Sequence, residues 1–94
     1  MVTTKQKATL KSLAHQLKPI VHIGKEGISD NLIKSIQLAL DSHQLVKCTL
    51  LKSTPVSVQE IALDISAATK ADIIQIIGRV IVIYKRNKEL PPLC

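Results

Sequence analysis

The sequence predicts a single α/β domain, and three observations predict it. The chain has 94 residues, the size of one domain, which can bury a single two-layer core. Three segments carry apolar residues at helical spacing, and four short runs are rich in isoleucine, valine and leucine. The expected order is α-β-α-β-α-β-β, a compact four-stranded mixed sheet with three helices over residues 1–86. Residues 87–94, with two adjacent prolines, are expected to form a loose tail.

The first helix is expected to begin at Thr3 or Thr4, since either side chain can cap it. It should end at Lys18, because the residue before Pro19 avoids the α region. Apolar residues along it recur with the spacing of one helix face, which should pack on the sheet. That stripe consists of Leu10, Leu13, Ala14 and Leu17.

The next two units each pair a short strand with a helix. Residues 20–23 form the first strand, and Ser29 caps a second helix that ends near His43. Residues 45–51 form the second strand. Ser57 and Glu60 have the spacing of a capping box, so a third helix begins there and stops by Thr69 or Lys70. Its core face should be Val58, Ile61, Ala62, Ile65 and Ala68.

Residues 72–77 and 80–84 read as a hairpin, because Gly78-Arg79 is a two-residue link between β-rich runs. The expected register pairs Ile77 with Val80, Ile76 with Ile81, and Ile74 with Ile83. Isoleucines 74, 76, 81 and 83 would then share one face of the hairpin, and both faces should be covered.

Right-handed crossovers would make the first three strands parallel, so the loops after them should leave the same edge of the sheet. These loops carry Lys25, Lys52 and Arg79. A first helix antiparallel to the first strand would bring Lys5 and Lys7 to that edge as well. Open α/β sheets bind ligands at the carboxyl ends of their strands, so this edge is the candidate site.

The loop after the first strand reads Gly24-Lys25-Glu26-Gly27. Glycine at both ends would permit positive φ and close approach of a ligand to the backbone. The helix that follows offers unpaired N–H groups, which suit a phosphate. Two glycines three residues apart are also often a simple tight turn, so this loop alone is a weak signal.

The charge of the chain favours an anionic partner. The formal net charge is +6 and the isoelectric point is near 9.6, which suits nucleic acid or an acidic membrane surface. Five lysines and no acidic residue lie within residues 1–25. Lys7, Lys11 and His15 follow one another along one flank of the first helix. A generic solubilising surface is the alternative explanation.

Other function classes have little support in the sequence. Cys48 and Cys94 form neither a disulfide framework nor a zinc motif, so no metal or other cofactor is expected. No apolar run approaches the roughly 18 residues of a membrane span, and a reducing, cytosolic compartment is expected. The three histidines lie near no Ser, Asp or Cys pattern, so we expect no enzyme activity.

The combined motifs resemble the CRM domain, the chloroplast RNA splicing and ribosome maturation domain, in its stand-alone bacterial YhbY-type form. The resemblance covers about residues 3–86. It rests on Thr4–Lys7, Leu10–Pro19, the Gly24–Gly27 loop, and the closing hairpin from Gln75 to Lys85. Lys85 departs from the family, which usually has arginine there, so a bidentate contact at this position is in doubt.

This resemblance implies RNA binding without catalysis, association with precursor large ribosomal subunits, and a fold similar to the C-terminal domain of translation initiation factor three. It makes the Gly24–Gly27 loop an RNA clamp and the basic flank of the first helix an adjoining surface. A monomer is expected. The alternative is a protein–protein adaptor that docks on ribosomal proteins or other factors. The predicted RNA-binding residues are Gly24, Lys25, Glu26, Gly27, Lys5, Lys7, Lys11, His15, Lys18, Lys52 and Arg79.

Overall fold

Seven helices and strands follow one another in the predicted order in the computed structural model, which describes residues 2–94. The α/β class and the α-β-α-β-α-β-β order are therefore confirmed. The elements are α1 (Thr4–Ala14), β1 (Val21–Ile23), α2 (Asp30–His43), β2 (Leu45–Leu50), α3 (Val58–Thr69), β3 (Asp72–Ile77) and β4 (Val80–Tyr84).

The four strands form one mixed sheet in the order β1-β2-β4-β3. β1 pairs with β2 in parallel, and β4 is antiparallel to both of its neighbours, β2 and β3. The first three strands consequently run in the same direction, as predicted. Their carboxyl ends meet at one edge of the sheet, and the second strand of the hairpin lies between β2 and β3.

The helices cover both faces of the sheet. α2 and α3 pack on one face, where Cys48, Ile81 and Ile83 are fully buried. α1 packs on the other face, against Leu45 and Val82. Neighbouring residues of β2 and β4 therefore alternate between two apolar layers, as side chains on a strand must. The prediction that the hairpin is covered on both faces is confirmed.

The predicted hairpin register holds only next to the turn. Ile77 pairs with Val80 and Ile76 with Ile81, but a β-bulge lies between Ile73 and Gln75. The extra residue in the bulged strand is Ile74, which therefore turns towards α1, while Ile73 packs on the other face. The expectation that Ile74 shares a face with the isoleucines of β4 is wrong for this reason.

Side-chain caps begin all three helices at the predicted positions. Thr3, one of the two candidates, forms a reciprocal capping box with Gln6. The Ser57 hydroxyl accepts a hydrogen bond from the Glu60 N–H at the start of α3. At the other end of α3, Thr69 is buried and bonds the Ile65 carbonyl oxygen, whereas Ala68, predicted as core, is exposed.

The segment after β4 is fastened to the domain, so the prediction of a loose tail needs correction. Residues 87–94 have no regular structure, but the Gln44 side chain donates to the Pro91 carbonyl oxygen and accepts from the Asn87 N–H and the Arg86 guanidinium. Leu93 packs against the apolar layer beneath α1. Gln44 is buried with φ 64°, a conformation that residues with a Cβ seldom adopt.

Replacing Gln44 by alanine should destabilise the domain by about 1–3 kcal/mol, because the buried side chain makes three hydrogen bonds to residues 86–91, each worth about 0.5–1.5 kcal/mol. Alanine keeps a Cβ at the same positive φ, so the change isolates the side-chain hydrogen bonds from backbone strain. Urea unfolding measures the effect. Gln37→Ala, on the exposed side of α2, is the matched control and should stay within about 0.5 kcal/mol of the parent. Equal stability of the two variants would contradict the anchoring role of Gln44.

Candidate nucleic-acid interface

The Gly24–Gly27 segment forms a tight turn between β1 and α2. The Gly27 N–H donates to the Gly24 carbonyl oxygen over 3.0 Å, which closes a four-residue turn. Lys25 and Glu26 occupy the corner of this turn and are exposed. The turn thus presents one mobile cation and one carboxylate to the solvent.

The two glycines have different roles in the fold. Gly27 has φ +64°, in the left-handed region that favours glycine. Gly24 does not have a positive φ, and a Cβ added there would lie 3.7 Å from Leu51 Cδ1, an ordinary contact distance. Of the two glycines of the turn, only Gly27 uses the positive φ that glycine permits. The fold itself does not require glycine at position 24.

The start of α2 lies directly after this turn. The Ser29 hydroxyl accepts a hydrogen bond from the Leu32 N–H over 3.1 Å, so one of the free donors is already paired. Asp30 places a carboxylate in the first helical turn, where it competes with any external anion for the positive end of the helix dipole. Anion binding at this position therefore depends more on Lys25 than on the helix itself.

The loops after β1 and β2 are joined through one carbonyl group. The Ile23 carbonyl oxygen, at the end of β1, accepts from the Leu51 N–H and from the Thr54 hydroxyl, each over 2.8 Å. This pair of hydrogen bonds holds the loop that carries Lys52 beside the turn that carries Lys25. Thr54 was not among the residues predicted for this site, although a threonine in a loop before proline commonly bonds the backbone of its neighbours.

The turn after β3 joins the same edge. The Arg79 carbonyl oxygen accepts from the Leu50 N–H over 2.8 Å, and the Arg79 guanidinium donates to the Leu51 carbonyl oxygen over 3.4 Å. Residues 24–27, 51–54 and 78–79 therefore form one continuous surface, which we call the loop edge. Lys25, Lys52 and Arg79 are all exposed on it.

The basic residues of α1 form a second group. α1 packs on the opposite face of the sheet from α2, the helix that follows the glycine turn, so we describe its lysines separately from the loop edge. We call Lys5, Lys7, Lys11 and His15 the helix flank; Lys11 is half-buried and the others are exposed. Lys18 precedes β1, whereas the glycine turn follows it, so Lys18 belongs to the opposite end of that strand.

Groups that could support other chemistry are dispersed or inert. Cys48 is fully buried, and burial raises the pKa of its thiol to about 12, so it stays protonated at neutral pH. Within residues 2–94, no three His, Cys, Asp or Glu side chains are grouped so that they could hold a metal ion. No helix in the same range is both long and apolar enough to cross a membrane.

Together these features define a class of protein: a small α/β domain with a glycine turn and basic loops at the carboxyl edge of its sheet. The CRS1/YhbY (CRM) domain profile matches residues 2–85, and the chain belongs to this family. The resemblance predicted from the sequence motifs is thereby confirmed.

Bacterial proteins from three species are similar to the chain over almost its whole length. The "Probable RNA-binding protein YqeI" of Bacillus subtilis is 39% identical over 89 residues, covering 95% of this chain and 93% of that protein. An "RNA-binding protein" of Haemophilus influenzae is 36% identical over 88 residues, covering 94% and 89%. A Staphylococcus aureus hypothetical protein of known solution structure is 44% identical in sequence to this chain. The two structures superpose with a TM-score of 0.77, over 97% of this chain and 98% of that one.

The contrast between the two glycines predicts different responses to the same substitution. Gly27→Ala should cost about 1 kcal/mol of stability, because alanine is strained at positive φ. Gly24→Ala should leave the urea midpoint nearly unchanged, because residue 24 does not have a positive φ and an added Cβ would make only an ordinary contact. Gly27→Asn is the control, since asparagine tolerates the left-handed region better. A larger loss at position 24 than at position 27 would contradict this assignment.

Proposed function

We propose that the protein binds RNA through the loop edge, with the helix flank as an adjoining surface, and that it does so without catalysis. The observation that carries the proposal is the hydrogen-bonded junction of three loops, which places Lys25, Lys52 and Arg79 on one surface beside the glycine turn. The names of the Bacillus subtilis and Haemophilus influenzae relatives support RNA as the ligand.

The composition of the surface indicates how the RNA is held. Tyr84 is the single aromatic residue of the chain and is buried, so bases cannot stack on it. Lysine and arginine side chains, on a turn whose backbone can come close to the RNA, instead favour contacts with the phosphate backbone. Gly24 has no Cβ to obstruct such an approach, and neither its φ nor its surroundings require glycine. Binding should therefore depend strongly on salt.

A catalytic role has no geometric support among the described residues. A nucleophile, a base and an oxyanion site must lie within hydrogen-bonding distance of one another. Cys48 is buried and protonated. The pocket at the Gly24–Gly27 turn is lined by His22, Glu26 and Ser29, but the Ser29 hydroxyl caps α2 by accepting from the Leu32 N–H, and no hydrogen bond among the described residues joins it to His22 or Glu26. We therefore propose a binding protein.

We further propose that the RNA is ribosomal and belongs to the precursor large subunit, in the cytosol. This step rests on the family to which the chain belongs and on its small, basic form. A domain that grips phosphates without reading bases suits folded RNA recognised by shape.

Salt titrations of RNA affinity test the loop edge. Lys25→Gln/Lys52→Gln should lower the magnitude of the log–log salt slope by about 1.4–1.8, because each lost phosphate contact removes roughly 0.7–0.9. Arg79 is left unchanged because its guanidinium bonds the Leu51 carbonyl oxygen. Lys5→Gln/Lys7→Gln measures the contribution of the helix flank in the same way.

The control is Lys70→Asn/Lys88→Gln, which removes two positive charges, as Lys25→Gln/Lys52→Gln does. Lys70 caps the end of α3 before β3 and Lys88 lies in the tail, so both are away from the loop edge. Asparagine suits the left-handed backbone at position 70. Equal slopes for the loop-edge and control variants would contradict the proposal. Affinity that hardly depends on salt would favour the protein-adaptor alternative.

Association with precursor subunits has its own test. Sucrose-gradient sedimentation of cell extracts should find the protein with particles lighter than the mature large subunit. Lys25→Gln/Lys52→Gln should shift it to the top of the gradient, whereas Lys70→Asn/Lys88→Gln should not. If the purified protein bound RNA but did not sediment with precursor subunits in extracts, the ribosomal proposal would be wrong and the RNA-binding proposal would stand.

A further inference from the structure

An apolar groove lies at the other end of the sheet from the loop edge. Its volume is about 490 Å³, and it runs between the end of α1, the residue before β1, and the first residues of β2. Leu13, Leu17 and Ile20 are 39%, 40% and 51% exposed along it, and Leu45, Val46 and Leu93 complete its apolar lining. We call this surface the α1 groove.

The sequence predicts Leu13 and Leu17 as part of the core stripe of the first helix, and the structure corrects that expectation. α1 ends at Ala14, so Leu17 no longer follows the helical repeat that buries Leu10 and Ala14. The Lys47 ammonium donates to the Leu17 carbonyl oxygen over 3.1 Å and holds the segment in place. The groove is thus a fixed part of the fold.

Two cationic side chains border the groove. Lys18 and Lys47 line it, and none of the described residues that line it is acidic. An apolar floor with cationic sides is complementary to a segment that has apolar side chains on one face and carboxylates beside them.

Two other occupants fit the groove less well. A second copy of the chain would bring two sets of lysines together, and each copy carries a formal charge of +6. RNA would place phosphates and bases on leucine and isoleucine side chains, which offer neither hydrogen bonds nor an aromatic platform.

We propose that the α1 groove docks an acidic amphipathic segment of a partner protein. The groove lies before β1 and β2, and the loop edge lies after them, so the two surfaces occupy opposite ends of the sheet. Partner and RNA can therefore bind at the same time. The proposal stands independently of the RNA-binding role.

Selection of displayed random peptides on the purified protein tests the proposal. We expect enrichment of peptides of about four helical turns or less that carry leucine-like anchors and excess Asp or Glu. The enriched peptides are then synthesised, and their affinity is measured by fluorescence anisotropy. Leu17→Ser/Ile20→Ser should weaken binding by about tenfold or more, and Lys18→Glu should also weaken it.

The matched control is Leu38→Ser/Leu63→Ser, since these leucines are 68% and 64% exposed and do not line the groove. Urea midpoints verify that both double variants are folded. Equal binding by the groove and control variants would overturn the proposal, as would enrichment of basic or uncharged peptides only. If Leu17→Ser/Ile20→Ser lost RNA affinity instead, the groove would be an RNA surface and the proposal would be wrong.

Discussion

The position of β4 between β2 and β3 is the constraint on which the candidate site depends. β4 forms antiparallel hydrogen-bond ladders with both neighbours, and this forces β3 to run in the same direction as β1 and β2. The three loops at the carboxyl edge, with Lys25, Lys52 and Arg79, come together only for that reason. The two hydrogen bonds accepted by the Ile23 carbonyl oxygen then hold the first two loops together, and the Arg79 carbonyl oxygen, which accepts from the Leu50 N–H, joins the third.

Local signals in the sequence were enough for most of the fold. Caps such as Ser29 and Ser57 and the glycine of the Gly78-Arg79 turn act through neighbouring residues, so the element order and most boundaries could be predicted. The strand directions followed from the handedness of crossovers, but the strand order, with β4 between β2 and β3, was not predicted. The strand directions were therefore enough to predict that the basic loops leave the same edge of the sheet.

Features that depend on distant residues could not be predicted. The bulge that turns Ile74 towards α1 is a compromise between two apolar layers, and the sequence of β3 shows only two pairs of isoleucines, one on either side of Gln75. The anchoring of the tail depends on Gln44, which is more than forty residues away from its partners. In the candidate site, the different backbone conformations of Gly24 and Gly27 have no signature in the Gly-x-x-Gly spacing.

The molecule has different chemistry at the two ends of its sheet. The carboxyl ends of β1, β2 and β3 carry turns, cations and an accessible backbone, which suit a phosphate chain. The other end carries exposed aliphatic side chains between lysines, which suit an acidic protein segment. Such a division would allow a small domain to connect RNA with a second macromolecule while the fold between them stays unchanged.

Nuclear magnetic resonance titration of the isotope-labelled protein with RNA tests the central claim most directly. It reports on every backbone amide separately, so it distinguishes the two ends of the sheet in one experiment. The account predicts the largest chemical-shift changes at residues 24–27, 51–54 and 78–79, with smaller changes along the helix flank. Changes confined to the α1 groove, or spread evenly over the surface, would contradict it.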